Sequence, residues 1–395
     1  FDQLGNTALH IAGWRGHRHV VHVLLEQGAR LDGRNANGVT PLHYACSQGT
    51  TEIVELLVEA GANLHAEDTL GNTPLHDAGS GGKVQSVRFL LAHGARLNGT
   101  GESGTPLHAA CSEGRTAVAK LLISKGAAVG AHSARGHTPL SSATWGASRA
   151  VRRVLRRTGK AAHEQDERGR TKLERATVGH RATIQLLLDK GADPNANTGA
   201  RAGPLHYAAL GCPVELVEIL IANGADVSAE GPNDERPLSW AIKGGNQPVV
   251  EFLLEHGAPV DAVDNSKQTA LHVAAASGRL SLIHPLLWHG ADVDVKRDED
   301  GATPLFIAAG KGYSKVVGLL LAAGANPNSP TKSGRTALHR AAEKGRGQIA
   351  LLLMAGGGDI EARDKAGQTP LDLATTKMDE GELEFLRDCR QREER

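Results

Sequence analysis

The chain has 395 residues, with 44 basic and 44 acidic side chains and a pI of about 7.5. This balance excludes the large basic field that binding to a phosphate backbone requires, so we expect no nucleic-acid partner. No stretch has the roughly 18 continuous apolar residues of a membrane span, so we expect no membrane partner either. Four scattered cysteines, none in a C-x-x-C pair, are typical of a reducing compartment. They predict a cytoplasmic protein, with the nucleus as the alternative.

A short motif of the type Thr-Pro-Leu-His recurs along the whole chain. Successive copies start 33 residues apart, except for two intervals of 32 and one of 34. The copies begin at residues 7, 40, 73, 105, 138, 171, 203, 236, 269, 303, 336 and 369. Twelve copies in register predict a stack of similar units, because one such unit cannot bury its own apolar side.

The second copy shows why a unit folds as two helices. Thr40 is placed to cap a first helix, and Pro41 suits its first position, where a missing N–H costs nothing. Gly49 breaks the chain, and the apolar stripe within residues 53–58 predicts a second helix. Gly61 ends that helix as a left-handed glycine does. The following residues are predicted to run outward as an extended hairpin to the next unit.

This period and this motif resemble the ankyrin repeat over essentially the whole chain. The resemblance implies an all-α fold, an ankyrin-repeat α-solenoid of helix-turn-helix units joined by β-hairpin-like loops into one curved superhelical array. It also implies that the motif histidine, present in seven copies, hydrogen-bonds within its turn and to the neighbouring hairpin. The turns of the copies that carry another residue there are expected to be looser, namely those with Ser141, Glu174, Ser239, Phe306 and Asp372. The predicted repeats span residues 5–37, 38–70, 71–102, 103–135, 136–168, 169–200, 201–233, 234–266, 267–300, 301–333, 334–366 and 367–395.

The two ends of the chain differ. The last repeat carries Leu383, Phe385 and Leu386 among many charges, which is typical of a C-terminal cap. The first repeat has an apolar stripe within residues 20–25 with no repeat ahead of it, and the chain begins at Phe1 rather than methionine. We therefore expect a truncated N-terminus, with flanking domains beyond it.

Motifs that would indicate catalysis or cofactor binding are absent or misplaced. Gly99, Gly101 and Gly104 match the dinucleotide fingerprint G-x-G-x-x-G, but they lie in a loop between repeats rather than between a strand and a long helix. The sequence contains no phosphate loop, no H-E-x-x-H and no G-x-S-x-G. We therefore predict no catalytic residue, no cofactor and no enzymatic activity.

One histidine cluster is a candidate metal site. His19 and His22 could share a helix face, with His17 close by. The alternative is an ordinary solvated helix start. We favour that alternative and predict no metal.

The resemblance places the first helices and the hairpin tips on a concave surface. Most of the Trp and Tyr residues fall at matching first-helix positions, where charged residues also occur. Because such rings dominate protein interfaces, we predict a protein-binding surface there. The other interpretation is that the rings fill gaps between adjacent first helices. The predicted surface comprises Trp14, Tyr44, Asp77, Trp145, Arg175, Tyr207, Trp240 and Arg340.

The fifth and sixth repeats depart from the pattern. In the fifth, arginines replace the valines of the apolar stripe, and in the sixth the first helix is one residue short, with Lys172 where proline is usual. The arginines could form a secondary basic site for an acidic partner or a phosphorylated segment. Alternatively, their stems cover apolar surface and their charges face water, with no partner. They are Arg149, Arg152, Arg153, Arg156 and Arg157.

These observations predict a non-enzymatic scaffold, a monomeric array that binds partner proteins on its concave surface. The alternative is the targeting arm of a larger enzyme or NTPase whose catalytic domain lies outside this chain. A phosphate loop or catalytic domain encoded upstream of Phe1 would distinguish the second from the first.

We expect the irregular fifth and sixth repeats, residues 136–200, to be the weakest part of the array. Arginines in its apolar stripe reduce the surface buried between units, so local opening should cost less free energy there. Hydrogen exchange should be fastest, and proteolytic cleavage earliest, within residues 146–181. Uniform protection along all twelve repeats would contradict this prediction.

Overall fold

The computed structural model describes residues 2–48, 50–159, 171–196, 202–374 and 381. Gly49 and the predicted cap residues Leu383, Phe385 and Leu386 lie outside this set. The chain divides into two compact units, residues 1–226 and 227–395. The described residues contain helices and loops but no strand, so the predicted all-α fold is confirmed.

The first unit consists of helix pairs and two longer helices. Ten helices have seven to nine residues, whereas α9 has 20 and α10 has 18. In chain order the helices are α1 (Ala8–Arg15), α2 (Arg18–Glu26), α3 (Pro41–Gln48), α4 (Thr51–Glu59), α5 (Pro74–Gly81), α6 (Val84–Ala92), α7 (Pro106–Ser112), α8 (Thr116–Ser124), α9 (Pro139–Thr158), α10 (Lys172–Asp189), α11 (Pro204–Gly211) and α12 (Val214–Ala222).

The second unit repeats the short helix pair more regularly. A 3-10 turn at Pro232–Asp234 precedes its first helix. Its helices are α13 (Pro237–Gly244), α14 (Gln247–Glu255), α15 (Ala270–Ser277), α16 (Leu280–Trp288), α17 (Pro304–Lys311), α18 (Ser314–Ala322), α19 (Ala337–Glu343), α20 (Gly347–Ala355) and α21 (Pro370–Ala374).

The third repeat shows how the motif sets both ends of a first helix. Thr73 has extended backbone angles and caps α5, and Pro74 occupies the first helical position. Gly82 ends the helix with a φ of 75°. A residue with a Cβ atom is disfavoured at such an angle, so glycine allows the chain to reverse into α6.

In six of the described copies the motif histidine joins its repeat to the next one. In the second repeat the Thr40 N–H donates to His43 Nδ1 at 3.2 Å. The Nε2–H of His43 donates to the Asn72 carbonyl oxygen of the third repeat at 3.0 Å. Both nitrogens are used by the neutral ring, and burial lowers the pKa of His43 below its usual value. The resemblance-based prediction for this residue is confirmed. The same bridge recurs at His10, His76, His108, His272 and His339.

Copies without the histidine keep the cap but lose the bridge. The Ser141 hydroxyl accepts from the Thr138 N–H at 2.9 Å, and the Glu174 carboxylate accepts from the Thr171 N–H at 2.7 Å. These turns are therefore closed locally. Their shorter or acidic side chains cannot donate to a carbonyl of the following repeat as an imidazole N–H does.

Small residues allow the first helices to stack closely. In the first unit α1, α3, α5 and α7 contact one another in order, and α2, α4, α6 and α8 form a second row. Ala45 and Cys46 of α3 are fully buried in the first row, as are Ile53 and Leu57 of α4 in the second. The core is thus a continuous layer between the two rows, and each repeat contributes part of it.

The predicted fifth and sixth repeats together fill one place in this stack. α9 packs on α7 and α11, and α10 packs on α8. The Cys212 Sγ lies 3.6 Å from the Thr144 carbonyl oxygen, which connects α11 to α9. The Thr116 hydroxyl lies 2.9 Å from that of Thr183, which connects α8 to the second half of α10. In the described part of residues 136–200, the chain thus forms one long first helix and one long second helix.

The cause lies at the residue where the other repeats turn. That position is a left-handed glycine in most copies, including Gly82 and Gly114. In the fifth copy it is Ala147 and in the sixth it is His180, and both lie inside continuous helices. Helix propagation is then favoured over reversal, because neither copy has a turn glycine or a proline such as Pro213, which follows Cys212 at this turn in the seventh copy.

The long helices extend beyond the level at which their neighbours turn. A Cβ atom on Gly146 would lie 2.1 Å from the carbonyl oxygen of Ser112, the last residue of α7. A Cβ atom on Gly179 would lie 2.4 Å from the Gly114 carbonyl oxygen. Residues 148–158 of α9 and 172–179 of α10 therefore project past the turn at Gly114. We call these two segments the helical extension.

The close contact at Gly146 generates a prediction. A methyl group there would collide with the Ser112 backbone, so Gly146→Ala should destabilise the protein by about 1–3 kcal/mol. This cost exceeds the gain of about 1 kcal/mol in helix propensity. Gly318→Ala is the control, because Gly318 lies inside α18 with no atom near its missing Cβ. Urea unfolding followed by circular dichroism should show a lower midpoint for the first variant only.

Candidate functional site

The predicted surface residues of the first repeats differ in how much they are exposed. Trp14 of α1 is 46% exposed, and the Arg15 guanidinium carbon lies 4.8 Å from its ring centre. Tyr44 of α3 is half-buried. Its hydroxyl accepts from the Asn35 amide at 3.4 Å, and its ring meets His10 edge-on at 5.9 Å. Trp14 is therefore available to a partner, whereas Tyr44 also fills the gap between two repeats, the alternative given above.

Asp77 occupies the matching position on α5. The side chain is half-buried, and its withdrawal from water raises the pKa of the carboxyl to about 7. The Asp68 carboxylate contributes to the same shift. Asp77 therefore changes charge near neutral pH on a surface that is otherwise rich in rings and cations.

Trp145 lies beside a cavity of about 360 Å³. The Arg149 guanidinium carbon is 4.8 Å from the Trp145 ring centre, so the cation stacks on the indole. Arg149 also forms an ion pair with Glu113. Arg135 lines the same cavity and donates to Glu102 at 3.1 Å. The cavity thus combines one large ring with two cations whose acidic partners are themselves partly exposed.

Tyr207 approaches this cavity from the next helix pair. Its ring stacks on His137 at a centre-to-centre distance of 5.7 Å and an interplanar angle of 26°, and His137 lines the cavity. This proximity follows from the long helices. α11 packs directly on α9, so Tyr207 lies one place from Trp145 in the row of first helices rather than two. We call Arg135, His137, Trp145, Arg149 and Tyr207 the Trp145 cluster.

Two members of this cluster were not predicted from the sequence. Arg135 and His137 immediately precede the fifth motif, in the loop that leads to Thr138. The prediction considered only residues at matching positions of the first helices. The signal that was overlooked is the run Arg135-Gly136-His137, which places a cation and a ring at a hairpin base.

The second unit carries its own predicted residues. Trp240 is half-buried on α13. Arg340 of α19 pairs with Glu343 at 2.8 Å, and its guanidinium carbon lies 5.7 Å from the ring centre of Phe306. Phe306 stands where most copies have the motif histidine. A ring thus replaces the imidazole and is covered by a cation from the next repeat.

The remaining predicted residues lie on the long helices. Arg175 is exposed on α10, where it lines a cavity of about 310 Å³ with Pro213 and Leu216 at the start of α12. In contrast to the prediction, it belongs to the helical extension and not to the row of first helices. Arg152 is half-buried on α9, and the exposed arginines of that helix are Arg149, Arg153, Arg156 and Arg157.

The geometry can be compared with known families. A family model described as ankyrin repeats (three copies) matches residues 1–68, 64–132, 116–198, 205–297, 281–364 and 305–387. The chain belongs to the ankyrin repeat family. No curated protein matches it closely enough to serve as a relative. The family assignment covers the long helices α9 and α10 as well, because one match spans residues 116–198.

The sites considered for other ligands do not assemble in this ankyrin array. His22 Nδ1 lies 3.3 Å from Glu26, one helical turn further along α2, and His17 and His19 do not join it. No group of three or more His, Cys, Asp or Glu side chains in the described ranges could hold a metal ion. Gly101 and Gly104 exchange backbone hydrogen bonds of 3.0 Å, so those amides are not directed at a phosphate. Among the described helices, none is long and apolar enough to cross a membrane.

Asp77 makes the stability of the array depend on pH. Its pKa of about 7 in the folded state lies above the ordinary 3.8, so folding favours the protonated form. The corresponding stability is lost as pH rises from 3.8 to about 7, and no more of it is lost above 7. Asp77→Asn should raise the free energy of unfolding by on the order of 1–2 kcal/mol at pH 8 and by less than half of that at pH 5.

Urea unfolding at the two pH values measures this effect. Asp298→Asn is the control, because Asp298 is an exposed carboxylate that remains in water. An equal gain at both pH values would show that Asp77 remains ionised in the folded protein.

Proposed function

We propose that this chain is a non-enzymatic scaffold that binds partner proteins on the surface formed by its first helices and the adjoining hairpin loops. Membership of the ankyrin repeat family supports a role in protein–protein interaction in general. The Trp145 cluster supports the more specific proposal, because it places a ring, a stacked guanidinium and a second cation around one solvent-accessible cavity.

The chemistry of the cluster indicates how a partner would bind. Trp and Arg are the residue types most often responsible for interface energy, since both bury a large area and keep a polar end. Arg149 and Arg135 are held by Glu113 and Glu102 before a partner arrives, which lowers the conformational entropy lost on binding. A partner that inserts an apolar or acidic side chain beside Trp145 would find both kinds of contact within one cavity.

The rest of the first unit would extend this contact. Trp14 is an exposed ring with Arg15 beside it, so it repeats the combination found at Trp145. Tyr44 and Asp77 lie on helices between these two positions. We propose that a protein partner contacts several of these first helices at once, and that the monomeric array meets it in the cytoplasm, where reduced thiols are typical.

The test is an affinity capture with the full chain and two variants. Trp145→Ala/Tyr207→Ala removes both rings of the cluster, and a hot-spot loss of about 2–4 kcal/mol should reduce capture of the partner by at least about 30-fold. Trp288→Ala is the control, because Trp288 is 84% exposed but lies on the second helix α16.

The proposal requires a protein that wild type and Trp288→Ala capture equally and that the double variant loses. Circular dichroism and the urea midpoint must show that all three chains are folded. Identical capture by all three would remove the Trp145 cluster from the binding surface.

A further inference from the structure

The helical extension carries a concentration of positive charge in a chain that is neutral as a whole. Residues 148–158 and 172–179 contain seven basic and one acidic side chain, whereas the complete chain has 44 of each. α9 itself has five arginines and no acidic residue. The formal charge of the remaining residues is therefore net negative.

The arginines of α9 share one side of the helix. They follow one another at intervals of three, one, three and one residues, and positions three and four apart lie on the same face. The stretch from Arg149 to Arg157 is about 12 Å long at 1.5 Å per residue. The opposite face is packed against the array, since Ala147, Ala150 and Val151 are at most 7% exposed.

Most of these arginines form no ion pair with an acidic residue that the structure describes. In the part of the chain that the structure describes, Arg149 pairs with Glu113, and it is the one arginine of the five in an ion pair. Arg153, Arg156 and Arg157 are exposed. The stem of Arg152 does lie against the array, because its Cγ atom is 3.8 Å from the position of a Cβ atom on Gly211. The interpretation that the stems only cover apolar surface therefore fits Arg152, but it fits the exposed Arg153, Arg156 and Arg157 poorly.

The charge and the spacing of the arginines on α9 favour one kind of partner. Five guanidinium groups at helical spacing match carboxylates at the same spacing, with which arginine forms paired hydrogen bonds. A membrane surface would require a broad apolar face beside the charges, whereas here Leu155 is exposed alone among the arginines and Ala147, Ala150 and Val151 are buried. Binding of single-stranded nucleic acid would require aromatic rings for base stacking, and residues 148–158 contain none.

We infer that the arginine face of α9, from Arg149 to Arg157 on the helical extension, is a second docking surface that binds an acidic helical segment of a partner protein. The segment carries glutamates or aspartates three and four residues apart. The surface is distinct from the Trp145 cluster except for Arg149, which belongs to both. A partner with an acidic helix next to its main contact region could therefore engage both surfaces together.

The experiment measures binding of a labelled peptide to the full chain by fluorescence anisotropy. The probe is a helical peptide with glutamates three and four residues apart, and the same peptide with glutamines is its control. Arg153→Gln/Arg156→Gln/Arg157→Gln should weaken binding of the acidic peptide by at least about 10-fold, since each charge-assisted pair contributes about 0.5–1 kcal/mol. The glutamine peptide should not bind measurably.

A second triple variant separates the site from net charge. Arg18→Gln/Arg88→Gln/Lys125→Gln removes the same three charges from exposed positions elsewhere in the first unit and should change the affinity less than about twofold. An equal loss in both variants would overturn the inference, and so would the absence of binding by the acidic peptide. Circular dichroism checks that both variants are folded.

Two further probes test the other polyanions. A single-stranded 20-nucleotide DNA and vesicles containing phosphatidylserine are titrated at the same ionic strength. Tighter binding of either one than of the acidic peptide, lost in the α9 variant and kept in the matched control, would assign the face to phosphate groups and overturn the inference. The Trp145→Ala/Tyr207→Ala variant should bind the acidic peptide as wild type does, so failure here and failure of the proposed function are distinguishable.

Discussion

The array depends on hydrogen bonds that join neighbouring repeats through the motif histidine, and these form in six of the described copies. A neutral imidazole such as His43 accepts from its own motif threonine and donates to a carbonyl oxygen at the base of the following hairpin. The bond fixes the distance and the angle between neighbours because the ring is rigid and buried. With that spacing fixed, residues as small as Ala45 are needed between the first helices, and Ile53 and Leu57 fill the layer behind them.

The block formed by α9 and α10 shows what happens where the histidine hydrogen bond is missing. Ser141 and Glu174 replace the histidine, and Ala147 and His180 replace the turn glycine. α9 and α10 then continue as helix through the position of the turn, so two long helices form in place of two helix pairs. Contact between α9 and both α7 and α11 keeps the row of first helices continuous. The array therefore tolerates the irregularity, since each unit needs to match only its neighbours.

The same irregularity organises both proposed surfaces. Because α11 packs on α9, Tyr207 stacks on His137, which lines the same cavity as Trp145. Because α9 continues past the turn, its arginines stand on a projecting helix face rather than inside the apolar stripe of a second helix. One local change in helix length thus accounts for an aromatic site on one side and a cationic site beside it.

The sequence alone determined the fold class and the start of each motif copy, because these depend on local signals repeated along the chain, and the resemblance to ankyrin repeats implied the bridging histidines. Thr caps, Pro at the first helical position and turn glycines act within a few residues, so a pattern reveals them. Only the tertiary structure decided that Tyr207 lies near Trp145, that Arg175 leaves the row of first helices and that His137 joins the cluster. These outcomes depend on which helices become neighbours once a turn is lost. Several ways of stacking the helices then compete, and the sequence of a single repeat does not determine which of them forms.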